Sequence, residues 1–129
     1  MKTHVGFRTA LFPAYPDEVG RINPERYGQR LAEFLQRELP NHGVTTGTIW
    51  AEDWGWAVGV KNDAFKVWIG CGNADGQPDA MICFIEPSKA VVWRFPFRRI
   101  PTASDVERVA RALATLLGST AGINDVRWW

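Results

Sequence analysis

The stretch Ile49-Trp50-Ala51-Glu52-Asp53-Trp54-Gly55-Trp56-Ala57-Val58-Gly59-Val60 decides the fold, because it sets three of the seven tryptophans around a sharp acidic turn. Large and small residues alternate with period two on either side of Asp53 and Gly55, both turn formers. This predicts a β-hairpin with Trp50 opposite Trp56.

Downstream, the Lys61-Asn62-Asp63-Ala64 connection leads to a strand over Phe65 to Cys71. The Asn73-Ala74-Asp75-Gly76-Gln77-Pro78 turn leads to a second over Ala80 to Glu86, and Pro87-Ser88 leads to a third over Ala90 to Phe97. With the hairpin these make a five-strand meander. Upstream, Val5 to Phe12 is apolar and partly β-branched or aromatic, and Pro13 and Pro16 end it as a strand. Asn23 followed by Pro24 is an N-cap followed by a proline at the first helical position. Tyr27, Leu31, Phe34, Leu35 and Leu39 then recur at helical spacing, which predicts an amphipathic helix from Pro24 to Leu39. Beyond the meander, Ser104 and Glu107 have capping-box spacing. Val106, Val109, Ala110, Leu113 and Leu117 line one face of a second helix over Asp105 to Leu117, with Gly118 closing it. The tail Asn124 to Trp129 adds a short strand. The prediction is an α+β fold, an antiparallel meander sheet of about five to six strands with two amphipathic helices on one face. At 129 residues with 46% hydrophobic and 22% charged composition, this makes a single α+β domain over 1–129.

Strand parity sorts side chains between the two faces. With Val60 facing Phe65 and Cys71 facing Cys83, one face carries Trp50, Trp56, Val58, Val60, Phe65, Val67, Ile69, Cys71, Met81, Cys83, Ile85 and Val92, and the helices cover it. The other carries Ile49, Lys66, Trp68, Ile82, Phe84, Val91, Trp93 and Phe95, too apolar for a solvated face. Candidate covers are a second subunit, the aromatic C-terminus, a partner protein, a bound apolar ligand, or the N-terminal strand and loop.

Several function classes are disfavoured. A net charge of +1 gives no field that would draw in nucleic acid. Met1-Lys2-Thr3-His4-Val5 does not open a signal peptide, and no apolar run approaches ~20 residues, so the expectation is a cytoplasmic protein with no membrane partner. Two cysteines are too few for a disulfide scaffold. His4 and His42 have no ligand at metal spacing near them, and Gly70-Cys71-Gly72 lacks the rest of a dinucleotide loop. With no Gly-Lys-Ser/Thr and no nucleophile elbow either, no cofactor is expected.

Glu52 and Asp53 could work as acid or base if the neighbouring indoles raised a carboxyl pKa, but adjacent residues in extended chain point apart, and a solvated turn capped by Asp53 is the simpler reading. Cys71 and Cys83 fit small buried hydrophobes better than nucleophiles. Arg94, Arg98 and Arg99 interleave with Trp93, Phe95 and Phe97, a combination suited to an anion or an acidic partner surface. As a solvated edge strand, the same charges would discourage sheet-to-sheet aggregation. The order strand, helix, meander, helix is similar to that of small bacterial α+β proteins that bind other proteins, chaperones for secreted substrates and immunity proteins among them, at the level of fold analogy alone. The leading expectation is therefore a non-enzymatic protein-binding module, a homodimer or one half of a protein pair. Its binding residues are Trp68, Phe84, Trp93, Phe95, Arg94, Arg98 and Arg99. The alternatives are a small-molecule domain for an apolar or acidic ligand and, third, a hydrolase-type enzyme using Glu52 or Asp53.

Overall fold

The computed structural model describes residues 1–18, 24–74, 77 and 79–129. The chain begins with β1 (His4–Thr9) and continues through α1 (Gln29–Glu38) and a 3-10 turn at Leu39–His42. Four strands follow, β2 (Thr46–Glu52), β3 (Gly55–Val60), β4 (Val67–Asn73) and β5 (Ala80–Glu86). After them come β6 (Val91–Arg94), β7 (Arg98–Pro101), α2 (Ala103–Ser119) and β8 (Ile123–Trp128). The main sheet is antiparallel with strand order β2-β3-β4-β5-β1-β8. The meander runs inward from the β2 edge until β5 meets β1, and β8 closes the far side of β1. This is the expected α+β class with a meander-like sheet.

Both helices lie on the expected face. Leu31, Leu35, Val109, Leu113 and Leu117 join Val5, Val58, Val67, Ile69, Cys71, Met81, Cys83 and Ile85 in one buried core. All of them are sealed from solvent, with exposures of 0–2%. Each such aliphatic side chain contributes about 1.5–3 kcal/mol relative to exposure.

Three expectations are corrected. The hairpin pairs Ala51 with Trp56 and Trp50 with Ala57, so Trp50 does not face Trp56. The Glu52–Gly55 pair leaves only Asp53 and Trp54 in the turn, and this slip of one residue flips β2 from Ile49 to Glu52, until a register shift between Thr46 and Ile49 takes it up. Trp50 therefore lies on the helix-free face, and Ile49, opposite Val58, packs against the core.

The chain from Ala90 to Phe97 is not a fifth meander strand. The edge of β5 it would need is occupied by β1, with Val5 opposite Cys83. β6 pairs instead with β7 in a separate two-stranded ribbon, which removes Val91, Val92, Trp93 and Phe95 from the sheet faces assigned to them.

Both helix starts also differ. α1 begins at Gln29, not Pro24, and the expected N-cap Asn23 lies outside the described residues, as do Asp75, Gly76 and Pro78 of the expected turn. The cap is remote: Glu18, fully buried, accepts the Gly28 N–H at 2.7 Å and the Gln29 N–H at 2.9 Å through Oε2, and the Tyr15 N–H at 3.0 Å through Oε1. The carboxylate thus satisfies donors at the positive end of the helix. At α2 the Ser104 capping box does not form, because the helix begins at Ala103 and Ser104 falls inside its first turn. Buried Thr102 precedes it and is used otherwise, its N–H donating to Ala90 O at 3.0 Å and its hydroxyl to Lys89 O, which ties the ribbon to the helix. α2 runs one residue past Gly118, and the Ser119 and Thr120 hydroxyls donate to the Thr115 and Leu116 carbonyls at 2.7 and 2.6 Å.

Cys71 and Cys83 are cross-strand partners, fully buried, and both are free thiols. Burial pushes the Cys71 thiol well above its ordinary pKa, and the hydrogen bond and charge interaction with Cys83 push the same way. Since the thiolate is the reactive form, native protein is expected to resist alkylation and to be labelled at both positions only on unfolding. Rapid labelling of the folded chain would show that this part of the sheet opens to solvent.

Candidate functional site

Two aromatic groups emerge, and among the described residues no ring contact joins them. The first is the helix-free face of the sheet. Trp50 and Trp54 lie 6.1 and 6.0 Å from Trp68, and Trp68 lies 5.7 Å from Phe84. Phe84 is 4.9 Å from Trp54 and 5.7 Å from His4, and Trp129 continues the row 5.9 Å beyond His4. Glycines make room for these rings. A Cβ on Gly70 would lie 2.3 Å from the Phe84 ring, and one on Gly6 would lie 3.2 Å from the Trp129 ring. Side chains thus lean across neighbouring strands and cover backbone that glycine leaves bare. Most of the row is half-buried as a result. Of the C-terminal aromatics, Trp129 lies over Gly6 beside His4, at one end of this face. The row also ties up one expected carboxylate, since Glu52 Oε1 accepts the Trp50 indole N–H at 2.9 Å.

The second surface is the β6–β7 ribbon, closed by Phe95-Pro96-Phe97. Its register sets Val92 opposite Ile100, Trp93 opposite Arg99 and Arg94 opposite Arg98. The base is anchored: Ile100 is buried, Thr102 is bonded back to Lys89 and Ala90, and Arg94 Nη1 donates to Ala64 O at 3.1 Å. Above the base every residue from Trp93 to Arg99 is exposed. Trp93 is 69% exposed, Phe95 95% and Phe97 92%, far from the burial usual for such large apolar rings. Phe97 also has φ +71°, a conformation a bulky residue adopts only at a cost. Arg94 and Arg98 are like charges directly across the ladder, an arrangement that destabilises an isolated ribbon. Between the ribbon and Asn62, Asp63, Phe65 and Lys66 lies an open hollow of about 480 Å³.

Of the expected binding residues, Trp68 and Phe84 come together on the sheet. Trp93, Arg94, Phe95, Arg98 and Arg99 come together on the ribbon, where Phe97 joins them. Trp54, His4 and Trp129 are outside the expected set but lie in the row with Trp68 and Phe84. Reading the hairpin with a two-residue turn would place Trp50 there as well. Among the described residues no helix is long and apolar enough to cross a membrane, and no group of three His, Cys, Asp or Glu side chains could hold a metal ion. Comparison with protein-family models, with curated proteins and with solved structures finds no match for this chain.

Proposed function

We propose that the chain is a non-enzymatic binding module whose recognition element is the β6–β7 ribbon. The observation that carries this reading is the near-complete exposure of Phe95 and Phe97 beside Trp93 and three arginines. Large rigid rings displace much water for little lost rotamer freedom, and guanidinium groups add directional contacts, which is why both are enriched among interface hot spots. The flatter row through Trp68 and Phe84 is half-buried and serves first to cover the sheet. A small-molecule reading would use the hollow beside the ribbon, with Arg94 as counter-charge for an acidic ligand.

The test is truncation on the ribbon followed by cross-linking capture of partners and by light scattering for self-association. Trp93→Ala is expected to weaken association by about 2 kcal/mol or more, with the helical circular-dichroism signal retained. Unchanged association, or unfolding of an otherwise monomeric chain, would mean that the ribbon does not recognise anything.

A further inference from the structure

We infer that the ribbon docks on an anionic lipid surface, dipping Phe95 and Phe97 into the bilayer interface while its arginines hold the phosphates. This rests on the ribbon being the recognition element and adds the chemistry of its partner. The charge is one-sided: from Pro87 to Pro101 the chain carries Lys89, Arg94, Arg98 and Arg99 and not one Asp or Glu. The acid of the adjoining loop, Asp63, lines the hollow together with Trp93 and Arg94, and none of Phe95, Pro96 and Phe97 lines it. The residues are also layered along the ribbon axis. The apolar tip Phe95-Pro96-Phe97 comes first, the opposed pair Arg94 and Arg98 comes next, and Trp93 with Arg99 lies one step behind.

At roughly 3.3 Å per residue these layers span about 7–10 Å. That matches the depth of about 5–10 Å to which interfacial elements bury their apolar side chains. The order along the axis also follows the bilayer's own, with rings toward the acyl boundary, cations among headgroup phosphates, and an indole at the interface where tryptophan is favoured. Both strands carry the cationic layer at the same height. A plane of phosphates explains that symmetry and relieves the Arg94–Arg98 repulsion, whereas a cleft in a partner protein imposes no such layering. Contact of this kind needs no membrane-crossing helix.

The experiment is sedimentation of the full chain with vesicles of phosphatidylcholine, alone or mixed with phosphatidylserine. The wild type is expected to bind the mixed vesicles, to bind neutral ones weakly, and to release as salt screens the arginines. Phe95→Ser with Phe97→Ser should weaken binding by at least about tenfold, since two exposed rings no longer leave water. Arg98→Gln with Arg99→Gln, which leaves the Arg94 bond to Ala64 O in place, should bring binding on mixed vesicles down to the neutral level. All four positions are exposed, so circular dichroism should match the wild type. Absence of binding to the anionic vesicles overturns the inference, as does binding that ignores both double variants. If lipid binding fails while ribbon variants still abolish self-association or capture of a protein, the recognition element stands and its partner is a protein. If the variants change neither, both readings fall.

Discussion

Replacing Glu18 by alanine is expected to lower the free energy of unfolding by on the order of 4 kcal/mol, a large share of the ~5–15 kcal/mol that holds an ordinary domain together. The side chain is fully buried and accepts three backbone N–H groups, from Tyr15, Gly28 and Gln29, at 2.7–3.0 Å. Two of these donors belong to the open end of the α1 hydrogen-bond ladder, and the third closes the turn that delivers Glu18. Alanine strands all three and removes the negative charge from the positive end of the helix dipole. Aspartate, one methylene shorter, should not reach both ends of this bridge. Glutamine keeps a single acceptor oxygen and turns its NH2 on the remaining donor, so about half the loss is expected there. Denaturant unfolding decides the matter: the midpoint should fall with an unchanged slope. A Glu18→Ala variant within about 1 kcal/mol of wild type would mean that water replaces the carboxylate without cost.

Which parts of this architecture can be read from sequence depends on how far apart the interacting residues lie. Helix α2 is legible because its apolar residues repeat within a few turns, and Val106, Val109, Leu113 and Leu117 are indeed on the buried face. The pairing of Cys71 with Cys83 is legible for the same reason, since one short turn joins their strands. The hairpin is legible as an element but not in register: Gly55 looks like a turn residue and is instead the first residue of β3, paired with Glu52. The cap of α1 is invisible because its acceptor lies ten residues before the first N–H it serves. The placement of β1 beside β5 is equally hidden, and it carries a consequence for the candidate site. With that edge taken, Trp93 and Phe95 have no place in the sheet. The cluster of aromatic and basic residues can be recognised as a group, but its detachment from Trp68 and Phe84 is decided by a strand about eighty residues away.

Gly28→Ala should destabilise the fold by roughly 3 kcal/mol or more, for want of space. A Cβ at this position would sit 2.4 Å from the Cys71 carbonyl oxygen, 2.9 Å from its carbon and 3.1 Å from the Gly72 Cα. All three are backbone atoms of β4, so no rotamer change can relieve the contact. Nor can the strand yield, because Cys71 is paired on one side with Trp56 and on the other with Cys83. Gly55 meets the same oxygen: its Cβ would also lie 2.4 Å from Cys71 O, with φ +155° adding strain. One carbonyl in the centre of the sheet is thus approached closely by both the start of α1 and the start of β3, and two glycines permit it. Gly118 supplies the control, being a helical glycine whose added Cβ would meet nothing within 4 Å, so Gly118→Ala should stabilise α2 by about 0.5–1 kcal/mol. If thermal or denaturant unfolding found Gly28→Ala and Gly118→Ala to have the same sign, the close approach of α1 to β4 would be wrong. The docking of Glu18 beneath it would then have to be redrawn.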